Sequence, residues 1–281
     1  MKILQKLAVA LVRTRFRILA LLSPRQAAGY AFRLFCTPQF KVDRELPAVF
    51  EQAEPLPFTF GSYTISGYRW NRGAARKVMI IHGFESSVIN FASYVMPLVE
   101  KGYEVLAFDA PAHGGSSGRQ INAVIYRDFI KHICSVYGPV QSFIAHSFGG
   151  LAVCLALAEM EHDAGSRLVL IAPATETATA FRQFFAFMQI SKAAMKKRIE
   201  DIVIRISGHP VSWFSIRRTL PEINAQVLWV HDRQDTITPL QDTENIRQAN
   251  YPTLQFVVTE GLGHRKIYRD AAVHKMVLDF L

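Results

Sequence analysis

The chain has 281 residues, half of them hydrophobic, and a formal net charge of +9. That is enough apolar material for one large core carrying an insertion, with no internal repeat and no low-complexity segment. The charge does not describe a basic, nucleic-acid-binding body: residues 1–41 carry eight basic residues and no acid, while the remainder holds 24 basic against 23 acidic residues. Cys36, Cys134 and Cys154 are odd in number and lack paired short spacing. They read as free, buried thiols in a reducing, cytoplasmic setting rather than a disulfide framework. The nine histidines show no metal-ligand spacing, so neither a metal nor any other cofactor is expected.

Residues 1–45 form a basic arm. At about 100° per residue, Lys2, Lys6, Arg13 and Arg17 share a sector of about 60°, opposite Leu4, Leu7, Leu11, Ile18, Leu21 and Leu22. The arginines interrupt the apolar run before it reaches the roughly 20 residues a membrane span needs, and they sit wrongly for a signal peptide. Two readings of residues 1–22 stand: a helix lying on the anionic inner face of a membrane, or a helix packed on the protein's own surface with its basic side in water.

Beyond the arm, strand and helix patterns alternate. An antiparallel pair, FTF and YTISGYRW, is followed by a strand at 77–82, a helix at 88–101 and a strand at 103–109. Next come a helix at 121–137, a strand at 141–146, a helix at 149–160 and a strand at 167–172. Strands at 226–231 and 254–260, with helices at 239–249 and 268–281, complete a mostly parallel sheet flanked by helices on both faces, an α/β architecture. About 50 residues separate Pro173 from Gln226, far more than an ordinary connection. This segment, 174–225, is helical in pattern and rich in phenylalanine. Phe184, Phe185 and Trp213 are its candidate substrate contacts, although such side chains serve equally to seal a helical layer. The expected division is therefore an arm at 1–45, a core at 46–173 and 226–281, and a helical insertion at 174–225.

Four motifs fall at the C-terminal ends of four of these strands, where open α/β sheets place their sites. His82-Gly83-Phe84 ends the first. Ala145-His146-Ser147-Phe148-Gly149 ends the third: a serine at a sharp strand-to-helix turn, bracketed by the small residues that crowded backbone demands. Asp235 follows strand 226–231 in a loop closed by Pro239, with Asp232 as a rival nearer the strand. Leu262-Gly263-His264 follows the last strand.

With these motifs and the DAPAHGGSSG turn at 109–118, the chain from about Phe58 to Leu281 resembles the α/β-hydrolase superfamily. The resemblance implies Ser147 as nucleophile, His264 as general base and Asp235 as the acid that orients it, the D-x-x-x-P spacing favouring Asp235 over Asp232. It also implies the backbone amides of Phe84 and Phe148 as an oxyanion hole, and a helical lid over the site at 174–225. Ala145 and Ala112 stand where the family commonly has glycine. The expected activity is hydrolysis of carboxylic esters, apolar or lipid-like, through an acyl-enzyme and without a cofactor. The same residues would also serve an acyltransferase, a thioesterase or a C–C hydrolase, and the fold can persist as a non-catalytic binding protein.

Overall fold

A computed structural model describes residues 3–281, with side chains from Lys6 onward; Lys2 and the side chain of Leu4 lie outside the described residues. The strands are β1 (Glu54–Pro55), β2 (Phe58–Phe60), β3 (Tyr63–Ile65), β4 (Gly67–Trp70), β5 (Arg76–Ile81), β6 (Tyr103–Phe108), β7 (Ser142–His146), β8 (Arg167–Ile171), β9 (Gln226–Asp232) and β10 (Leu254–Thr259). The helices are α1 (Ile3–Leu22), α2 (Pro24–Phe35), α3 (Ala92–Glu100), α4 (Ala123–Tyr137), α5 (Phe148–Leu157), α6 (Thr177–Met188), α7 (Ala193–Ser207), α8 (Ile216–Thr219), α9 (Glu244–Ala249), α10 (Gly263–Lys266) and α11 (Ala271–Phe280). The chain divides into two compact units: Pro38–Glu176 with Ser215–Leu281, and the residues up to Thr37 with Thr177–Phe214.

The first unit holds an eight-stranded sheet in the order β1-β4-β6-β5-β7-β8-β9-β10. Every pairing from β6 to β10 is parallel, and β4 is antiparallel to both of its neighbours. All of β6 and β7 and the last four residues of β5 and β8 are buried. They read as unbroken apolar runs because helices cover both faces, which removes the alternation of a half-exposed strand. On one face Val78, Ile80, Val105, Ile144, Val169 and Leu228 pack with Tyr94 and Leu98 of α3 and Val273 and Val277 of α11. Side chains set the helix starts: Asn122 accepts from the Ile125 amide at 2.9 Å, and Asp270 accepts from those of Ala272 and Val273.

The run YTISGYRW is not one strand. It divides at Ser66, so that β3 pairs with β2 in a separate two-stranded sheet and β4 joins the main one. Packing makes that break: a Cβ at Gly67 would lie 2.1 Å from the Phe108 ring, so only glycine admits the close pairing of β4 with β6. The patterns at 88–101 and 239–249 each open as a 3₁₀ turn before α3 and α9 begin.

The second unit is helical and joins segments the sequence keeps far apart. Ser23 and Pro24 start α2, and Phe35 at its end packs on Phe181 at 4.4 Å and Phe184 at 5.3 Å. Phe181, Phe185, Met188, Met195, Ile199 and Val203 form the buried faces of α6 and α7. Two basic side chains of α1 are held by protein: Arg13 donates to the Phe187 carbonyl and Arg17 to the Gln189 side chain, and Phe16 is buried, while Lys6 and Arg15 are exposed. Leu7, Leu11, Leu21 and Leu22 face outward.

Candidate active site

Strand β7 ends at His146, and Ser147 takes φ 54° and ψ −123° before α5 begins. A side-chain-bearing residue in that region is strained, and the fold holds it there by contacts on every side. The Ser147 amide donates to Ile171 O, and Ser147 O accepts from the amides of Gly150 and Ala174. Gly149 makes the turn possible: a Cβ there would lie 2.5 Å from His82 O and 2.8 Å from Ile81 O. Across the turn, a Cβ on Gly83 would meet the Ser147 Cβ at 2.8 Å, which brings the Gly83–Phe84 backbone beside the serine. Ala145 and Ala112 are both fully enclosed, and Ala112 adopts a φ of 69°, the conformation that favours glycine.

Three separated residues meet at the strand ends. Ser147 Oγ lies 2.9 Å from His264 Nε2, and His264 Nδ1 lies 2.7 Å from Asp235 Oδ2. Since Asp235 accepts, Nδ1 carries the proton and Nε2 is left to accept from the serine hydroxyl. Asp235 is buried, with every lone pair engaged: Oδ1 accepts from the amides of Ile237 and Thr238, Oδ2 from His264 and the Thr238 hydroxyl. Burial alone would raise its pKa, but the hydrogen bond and charge of His264, with the hydrogen bonds from Thr238, hold it below the ordinary value.

Asp232, the rival acid, does not reach His264. Its Oδ1 accepts from the Gln234 amide at 3.0 Å, and its Oδ2 from Thr259 Oγ1 at 2.8 Å and the Leu262 amide at 3.0 Å. It therefore ties the end of β10 to the loop that presents His264. Burial opposes its ionisation, and the donors of Gly263, Gln234, Leu262 and Thr259 outweigh that opposition, so its pKa too lies low.

The loop after β5 is clamped along its length. His82 Nδ1 donates to Gly83 O at 2.8 Å while its Nε2 accepts from the Ala110 amide. His113 Nδ1 donates to Pro111 O and its Nε2 accepts from the Glu85 amide at 3.1 Å. Asp109 accepts from the amides of Val88 and Gly115. Burial pushes His113 down to about 3, and His82 is shifted in the same direction for the same reason, so both are neutral struts. Among the described residues the amides of Phe84 and Phe148 donate to no protein acceptor, and their rings meet edge to face at 6.0 Å. Phe184, Phe185 and Trp213 make their ring contacts within the helical unit, where Trp213 stacks on His209 at 4.1 Å.

Two side chains at the site escape the sequence reading. Thr238 hydrogen-bonds Asp235 and lies 3.1 Å from His264 Nδ1; its signal is the Asp-x-x-Thr turn ahead of Pro239. His146 Nε2 donates to the carbonyl of His264, 118 positions away, and the two rings lie 4.8 Å apart. Burial, reinforced by the neighbouring His264 ring, pushes its pKa down to about 3. No local pattern could reveal that contact.

The chain matches the family described as serine aminopeptidase, S33, over residues 73–212, which includes Ser147 and ends before Asp235 and His264. It is 22% identical over 233 residues to the Bacillus subtilis protein YqkD, covering 78% of this chain and 76% of that one. Among solved structures, the Pyrococcus furiosus esterase Pf2001 aligns with a TM-score of 0.64 at 18% identity, covering 88% of this chain and 97% of that one. Est1E of Butyrivibrio proteoclasticus, solved with ferulic acid bound, aligns with a TM-score of 0.62 at 18% identity, covering 80% and 98%.

Proposed function

From a chain that belongs to the α/β-hydrolase superfamily and has its fold, we propose a serine hydrolase that cleaves carboxylic esters of apolar or lipid-like character. The observation that carries the reading is the relay from Ser147 Oγ through His264 to Asp235, at 2.9 and 2.7 Å, with the histidine in the tautomer that accepts the serine proton. In this mechanism Ser147 Oγ attacks the ester carbonyl as its proton passes to His264 Nε2, while Asp235 supports the resulting imidazolium. The amides of Phe84 and Phe148 receive the negative charge on the carbonyl oxygen, a contribution of about 3 kcal/mol per donor in such sites. Nε2 then returns the proton to the departing alkoxide, and water, deprotonated by the same nitrogen, releases the acid and restores Ser147. The half-buried rings of Phe84 and Phe148 give the nucleophile an apolar flank, which suits an acyl chain. A lipid-like substrate accords with a peripheral position at the inner face of a membrane, held through residues 1–22.

The test pairs a fluorophosphonate probe with aryl esters of increasing acyl length. The intact protein should label at Ser147 and turn over the esters, with kcat/KM rising along the series. Ser147→Ala and His264→Ala should lose both activities and keep the far-UV spectrum. A folded wild-type protein that neither labels nor hydrolyses any member overturns the enzyme reading in favour of a binding protein.

A further inference from the structure

The net charge of the chain belongs to the helical unit. Up to Thr37 and across Thr177–Phe214 the sequence holds 13 Lys or Arg against two acids; the other unit holds 19 against 21. The same unit carries eight of the twelve large hydrophobic side chains exposed among the described residues. Five of them stand on α1: Leu7, Leu11, Ile18, Leu21 and Leu22, between 52% and 84% exposed. At about 100° per residue they occupy one sector of roughly 100°, a continuous stripe about 23 Å long.

A helix on a water-soluble surface turns such a stripe inward and its charges outward. Here the arrangement is reversed. Arg13 and Arg17 are spent on Phe187 and Gln189, which fixes the rotation of α1 about its axis and leaves the leucines in water. Exposed cations flank the stripe: at about 100° per residue Arg15, its guanidinium over the Tyr30 ring at 5.0 Å, lies about 20° outside one edge, Lys6 lies about 60° outside the other, and Arg25 follows just past its end. A second copy of the chain would meet this face with like charge. A surface that is apolar within and anionic at its boundary complements it on both counts.

We infer that α1 docks the protein on an anionic bilayer, its leucine stripe among the acyl chains and Lys6, Arg15 and Arg25 at the level of the headgroups. This refines the membrane contact proposed above. The apolar side of the helix enters the membrane, while Arg13 and Arg17 hold the helix to its own protein. This docking stands apart from the chemistry: fluorophosphonate labelling of Ser147 reads the enzyme, and vesicle binding reads the helix.

The experiment is co-sedimentation of the full chain with vesicles of phosphatidylcholine alone or with about one third phosphatidylglycerol. The intact protein should favour the anionic vesicles at least tenfold. Leu11→Ser/Ile18→Ser, changed only at exposed positions, should lose at least tenfold in binding while keeping its helical spectrum. Lys6→Gln/Arg15→Gln should lose the preference for phosphatidylglycerol. An intact protein that ignores anionic vesicles overturns the inference. So does unchanged binding by Leu11→Ser/Ile18→Ser, which would leave only diffuse charge attraction. A dimer in solution that Leu11→Ser/Ile18→Ser converts to monomer, without vesicle binding by either form, assigns the stripe to a second copy instead.

Discussion

Replacing Asp235 by asparagine tests the relay with almost no change of shape, and the structure dictates which way the amide must point. Oδ1 of Asp235 accepts two backbone amides, from Ile237 at 2.8 Å and Thr238 at 2.9 Å. The asparagine oxygen must take that place, since turning the NH2 group there would leave two buried donors unpaired at about 1–3 kcal/mol each. The NH2 then faces His264 Nδ1, which can only accept, so the imidazole carries its proton on Nε2 and cannot take one from Ser147. Wrong-tautomer substitutions of this kind cost about 10⁴ in kcat, or about 5.5 kcal/mol. The flipped asparagine restores the tautomer but costs about 2–6 kcal/mol in unpaired amides, so it recovers at most part of the loss. Turnover of a short-chain aryl ester by Asp235→Asn should therefore fall by about 30-fold to 10⁴-fold, with KM little altered. A loss below tenfold in a folded protein would refute the assignment of Asp235 as the orienting acid.

Asp232→Asn should act on stability instead: one of the donors of Gln234, Thr259 and Leu262 loses its acceptor, lowering stability by about 1–3 kcal/mol while kcat stays within about tenfold; the reverse pattern would make Asp232 the acid. Gly149→Ala would force a Cβ to within 2.5 Å of His82 O, so soluble yield or fluorophosphonate labelling should collapse, and a fully active variant would disprove the crowding at the elbow. Acid should destabilise the fold well above the carboxylate range. His113 and His146 titrate near 3 when folded and near 6.5 when unfolded, so the unfolded chain binds more protons between those values. Stability is whole above pH 6.5 and falls through that window by up to about 1.4 kcal/mol per pH unit for each of the two. Urea unfolding at pH 7 and pH 5 reads the difference, and equal stabilities would show that these rings become protonated in place.

The sequence by itself determined the alternation of strands and helices, the sheet class and the positions of Ser147, Asp235 and His264 at strand ends. Those features are local: a buried parallel strand is a short apolar run, and a strand-to-helix turn needs small residues at particular spacings. Spacing also ranked Asp235 above Asp232, but only the tertiary structure showed what each contacts, because their partners lie 29 and 30 residues away on the loop after β10. The reach of His146 to the carbonyl of His264 was hidden for the same reason, as was the split of YTISGYRW at Ser66, beside the close packing of Gly67 on the ring of Phe108. The arm illustrates the limit most plainly. Periodicity revealed two faces on α1, one basic and one apolar, yet periodicity is indifferent to which face meets protein. That choice rested on acceptors at Phe187 and Gln189, more than 170 positions away, which captured Arg13 and Arg17 and turned the leucines outward.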